Sequence, residues 1–196
     1  MLIIFVLNVC KQQLNNNSEP VKVWHGEADI ALFDFVGGYR EAQGPRDAMF
    51  DNQYGWGHLY HSVTCGNRNE ERGIDITFLS SMVQYVDLEI HTRRDCCADR
   101  YRNVCLYIID VYGGKYQLAC TPPNLGDLGP KGTLKMKDFN LNPTEVFGTQ
   151  FQLRFEDYSY GDNGCGRTIE ELIEELYFHY KETPGNKIGV KSVFKD

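Results

Sequence analysis

Five charged side chains and two adjacent cysteines crowd into Arg93-Arg94-Asp95-Cys96-Cys97-Ala98-Asp99-Arg100. A bond between neighbouring cysteines closes a small strained ring. The product is a rigid apolar plate on which a sugar, or another flat apolar face, could rest. The guanidiniums of Arg93 and Arg100 are stiff multi-donor forks, suited to neighbouring hydroxyls or a carboxylate. Plate and forks bind; they do not break bonds. The rest of the chain adds no catalytic signature: it lacks Gly-x-Ser-x-Gly, a phosphate loop, a dinucleotide fingerprint and His-Glu-x-x-His. The paired carboxylates Glu170/Glu171 and Glu174/Glu175 fall in a helix-like run, where charge normally faces water. The chain therefore reads as a binding module rather than an enzyme.

Strands must position that stretch. Met82–Ile90 alternates like a half-buried strand, which puts Arg93–Arg100 in the loop that follows it. Ala31–Phe35 is another strand, ended by Gly37-Gly38. The runs Cys105–Tyr112 and Lys115–Cys120 flank Gly113-Gly114 as a hairpin. Thr133–Lys137 and Gln150–Phe155 complete the clear strands, and Thr121–Pro130 is a surface loop. Aromatics at 13% and 19 glycines favour strands and tight turns over a helical bundle. Between Ala28 and Gly73 the pattern predicts one short strand and then long loops. Pro45–His61, with Asp51, Asn52, Gly55 and Gly57, is the tightest of these. His58, Tyr60 and His61 lie where they could wall a ligand site. Near the C-terminus, Thr168-Ile169-Glu170-Glu171 forms a capping box and apolar residues recur at helical spacing. Local rules predict helix over Ile169–Leu176, then a strand to Tyr180.

The net charge of −7 argues against nucleic acid or an anionic membrane held by bulk electrostatics. Leu2–Val9 is apolar but too short to span a bilayer, and reads as the core of a secretory leader over residues 1–10. Residues 11–27 follow as an N-terminal extension, and the lysine-bearing tail over 181–196 reads as flexible. Seven cysteines less Cys10 leave an even six, as export to an oxidising compartment predicts. Spacing alone does not choose among the fifteen pairings that six permit.

The Arg-x-Asp-Cys-Cys-x-x-Arg run, here Arg93, Asp95, Cys96, Cys97 and Arg100, resembles the motif of the F-type (fucose-binding) lectins. These belong to the discoidin, or factor V/VIII C-type, superfamily. Weaker likeness extends over about residues 28–180, through Phe50–Asn52, Cys65, Gly73–Ile76 and Leu176–Tyr180. The resemblance implies an all-β fold: a discoidin-like jelly-roll β-sandwich of the galactose-binding-domain-like kind, to which the local capping box adds a short C-terminal helical insertion. It implies that Arg93 and Arg100 bind the sugar and that the Cys96–Cys97 plate packs against it. It implies the disulfides Cys105–Cys120 and Cys65–Cys165 as well. A structural calcium would sit on the loop at Asp51 and Asn52, with a C-terminal glutamate such as Glu175.

The family's third sugar ligand is a histidine shortly after the first disulfide cysteine. Here Gly66-Asn67-Arg68 follows Cys65, so Asn67 or Arg68 takes that contact. An arginine there favours acidic over plain fucosylated glycans. The expectation is a secreted lectin-like protein with a glycan partner and no transmembrane span, its affinity raised by homo-oligomerisation. The reading from a different class is a discoidin-like adhesion module for a protein or lipid headgroup, its arginines paired to carboxylates or phosphates.

Overall fold

A computed structural model describes residues 19–36, 41–43, 46–55, 58–65, 71–79, 82–92, 101–110, 112–125, 132–141, 146–156 and 168–183. Its strands are β1 (Lys22–Trp24), β2 (Ala31–Val36), β3 (Glu41–Gln43), β4 (Tyr60–Cys65), β5 (Gly73–Phe78) and β6 (Val83–His91). They continue as β7 (Val104–Ile109), β8 (Lys115–Cys120), β9 (Thr133–Lys135), β10 (Phe147–Gly148), β11 (Gln150–Phe155), β12 (Thr168–Ile173) and β13 (Glu175–Glu182). Single 3-10 turns occupy Arg46–Phe50 and Met136–Phe139.

Two five-stranded antiparallel sheets face each other. One runs β1-β13-β6-β10, with β9 also on β6; the other runs β2-β5-β11-β7-β8. Period-two burial builds the layer between them. Ile74, Ile76 and Phe78 of β5 point inward, as do Phe151, Leu153 and Phe155 of β11. Leu176, Phe178 and Tyr180 answer from β13. Rings lock the two faces: Phe178 lies 4.8 Å from Phe151 and 5.2 Å from Phe78, centroid to centroid. This is the discoidin-like, galactose-binding-domain-like sandwich. A three-stranded sheet, β12-β4-β3, lies beside it.

One irregularity governs the surface. In β6 the alternation breaks: Val83 and Tyr85 are buried, then Leu88 and Ile90. The ladder with β13 skips Val86, Tyr180 opposing Tyr85 while His179 opposes Asp87. The extra residue shifts the strand's phase, so Glu89 and His91 turn outward when regular alternation would bury them. Asp87 lands inside, where its Oδ1 accepts from the Lys137 amide at 2.9 Å. Across the sandwich, the β7–β8 hairpin turns at Gly113 (φ 85°), with the Tyr112 and Gly114 amides donating to Asp110 Oδ1. Cys105 and Cys120 face each other in this ladder and are bonded.

Several sequence expectations change. No helix forms over Ile169–Leu176. Thr168–Ile173 pairs residue for residue with Tyr60–Cys65, and Leu176 enters the core from β13. Propensity and a capping box are weak priors against a six-residue ladder whose end pair, Tyr60 and Ile173, is buried. Glu174 and Glu175 are not a solvated face; they are 3% and 0% exposed. The stretch between Ala28 and Gly73 holds β3, β4 and a 3-10 turn besides its one predicted strand. The extension expected over 11–27 is part of the sandwich from Lys22, because β1 pairs with Tyr180–Phe178 and buries Trp24 completely. At the other end β13 runs on to Glu182, beyond Tyr180. The leader over residues 1–10 lies outside the described residues.

Candidate functional site

The loop after Phe50 is fixed onto the end of the first sheet by contacts from both sides. Phe50 seats it, its ring 5.3 Å from Trp24 and 4.9 Å from Phe33. Asp51 then forms an Asx turn, its Oδ1 accepting from the Gln53 amide at 2.7 Å, while Oδ2 lies 3.1 Å from His58 Nδ1. Asn52 takes a left-handed φ of 59°. Two hydrogen bonds reach across to the sheet: the Gly55 amide donates to Glu174 Oε1 at 3.2 Å, and Tyr177 Oη donates to Asn52 Oδ1 at 3.4 Å. Tyr54 Oη lies 3.5 Å from His91 Nδ1, the last residue of β6. The loop thus rests against the exit of the strand that leads to Arg93.

Beneath it sit carboxylates and histidines. Glu175 Oε2 lies 2.5 Å from His25 Nε2, across 150 residues of sequence. Burial pushes the Glu175 carboxyl above the ordinary carboxylate range; His25 and the Gln53 amide pull it down, and the Asp51 charge pushes it further up. On the outer face Glu89 lies between His91 Nε2 (2.6 Å) and Lys135 Nζ (3.5 Å). Burial would raise Glu89, but His91 and Lys135 more than offset it and hold this carboxyl below its ordinary range.

The expected calcium can be tested against these donors. Calcium takes about six to eight oxygens, backbone carbonyls among them. Among the described residues Glu175 Oε1 is buried with no hydrogen-bond partner, and Asp51 is close enough to repel it. A cation between the two would relieve both. Asn52 Oδ1 already accepts from Tyr177. Among the described residues no three His, Cys, Asp or Glu side chains converge as ligands. The donors present suit a hard, oxygen-seeking ion, and loop carbonyls would have to complete its shell.

The sugar-binding residues expected from sequence fare differently. Arg93, Arg100, Cys96, Cys97, Asn67 and Arg68 lie outside the described residues, as does the Cys165 half of Cys65–Cys165. Both flanks of the arginine stretch are described, and both are anchored. Thr92 donates its amide (2.6 Å) and its hydroxyl (2.7 Å) to the Gly132 carbonyl. Tyr101 is 1% exposed, and its carbonyl accepts from Thr121 Oγ1 at 2.6 Å. That hydroxyl in turn receives the Val104 amide at 2.8 Å. Tyr60 does not wall a surface site: it is buried in β4 with its ring stacked 4.3 Å from Phe35. His61 is in β4 as well, opposite Leu172. Sequence reasoning missed His25, Tyr54, Glu89, His91 and Tyr177. Only the β6 and β13 alternation hinted at the last three, and nothing local marked His25.

No protein-family model and no curated protein matches the chain. Solved structures do, at the level of fold. A family 32 carbohydrate-binding module from Streptococcus pneumoniae EndoD is 11% identical, covering 78% of this chain and 96% of its own, with a TM-score of 0.51. An F-lectin (fucolectin) from striped bass (Morone saxatilis) serum is 14% identical over 82% of this chain, with a TM-score of 0.55; the match spans 50% of the bass chain. The family 32 module from C. perfringens NanJ, solved with galactose, is 11% identical over 82% of this chain and 99% of its own, with a TM-score of 0.50. Among the described residues no helix is long and apolar enough to cross a membrane.

Proposed function

We propose that this chain is a secreted, non-catalytic carbohydrate-binding module of the F-type lectin kind. Arg93 and Arg100 donate to the hydroxyls or carboxylate of a terminal sugar, and the Cys96–Cys97 plate supplies apolar contact. Asn67 or Arg68 makes the third polar contact, which favours acidic glycans over plain fucosylated ones. A structural calcium binds at Asp51, Asn52 and Glu175, with backbone carbonyls completing its shell, and holds the loop against β6. Affinity is raised by self-association of the module.

The observation that carries this reading is the anchoring of both flanks of the arginine stretch, at Thr92 and at Tyr101, in a discoidin-like sandwich. Those two anchors fix where the stretch leaves the sandwich and where it returns. The likeness in fold to sugar-binding modules adds support, as does the Arg-x-Asp-Cys-Cys-x-x-Arg sequence itself. A glycan array, run with calcium and with chelator, tests it. Acidic glycans should give the strongest signals, and chelator should weaken them. Absence of binding to every glycan by folded protein would refute it and leave the adhesion reading standing.

A further inference from the structure

We draw no further inference here: the strongest candidate, the exposed apolar side chains Val21, Leu79, Tyr112 and Phe147 at the end of the sandwich where β13 finishes, carries nothing because nothing in the structure shows what covers it.

Discussion

Glu89 Oε1 lies 2.6 Å from His91 Nε2, two residues along the same face of β6. The pair reaches the surface only because the ladder skips Val86; regular alternation would have sent both side chains into the core. Lys135 approaches the other carboxylate oxygen at 3.5 Å, and His179 lies 3.8 Å from it. Glu89 is thus the negative centre of a basic cluster.

A pH dependence follows. Glu89 is held below its ordinary range, so the folded state binds its proton more weakly than the unfolded chain. The stability it contributes is fully present above the ordinary carboxylate value of about 4.3 and is lost as pH falls through the folded value. Glu89→Gln should therefore be less stable than wild type at about pH 7, with the gap closing toward about pH 3. Urea denaturation across that range measures it. A gap that stays constant with pH would mean that packing, not charge, accounts for the difference.

Calcium should raise the unfolding midpoint by offsetting the repulsion that Asp51 adds at the buried Glu175, which His25 relieves only in part. At a hundredfold excess over its dissociation constant, an ion bound only by the folded state stabilises by about 2.7 kcal/mol. The increment should vanish with chelator, in Glu175→Gln and in Asp51→Asn. Magnesium should not replace it, because that ion demands a smaller, near-octahedral shell. Identical melting with calcium and with chelator would remove the ion from the proposal.

Much of the sandwich could be read from the sequence. Strand patterning located β2, β6, β8 and β11 to within a residue, and the glycine turn predicted the hairpin that Cys105–Cys120 closes. These signals are local. What escaped depends on distant partners. β12 carries a helix's capping box, yet it is a strand because Tyr60–Cys65 lies alongside. β1 is three residues long and exists because Phe178–Tyr180 offers it a ladder. The phase change in β6 has no marker at Val86, being a property of the pairing with β13. His25 could not be found, because its partner Glu175 is 150 residues away. The arginine stretch is the reverse case: its chemistry is plain in the sequence, and only its anchored flanks are described.

Gly73 marks where two strands of the second sheet approach tightly. Its φ is 149°, and a Cβ there would lie 1.8 Å from the Leu153 carbonyl oxygen. That atom is backbone in the β5–β11 ladder and cannot swing aside. Gly73→Ala should destabilise by more than the roughly 1 kcal/mol that a compatible Gly→Ala change can gain, by forcing the ladder open at Arg154. Arg154 is 3% exposed and bonded to Asp75 at 2.6 Å, so the disturbance should reach this ion pair as well. Chemical denaturation gives the loss, and an unchanged midpoint would contradict the close approach.

The sharpest test of function is Arg100→Lys. Charge is kept, so a site that uses arginine only for its field should lose little. A site that uses the fork should lose much, because an ammonium offers donors from one point and cannot span two neighbouring oxygens. One charge-assisted hydrogen bond corresponds to about 1.5–3 kcal/mol, or roughly ten- to a hundredfold in affinity. Arg93→Lys should behave alike if the two forks act on one sugar. The Tyr101 and Thr121 anchor lies beyond the substituted side chain, so the unfolding midpoint should stay at the wild-type value. Calorimetry with an acidic monosaccharide reads the affinity, and a thermal melt reads the fold. Retained affinity in both lysine variants would assign these arginines to bulk charge and defeat the fork model.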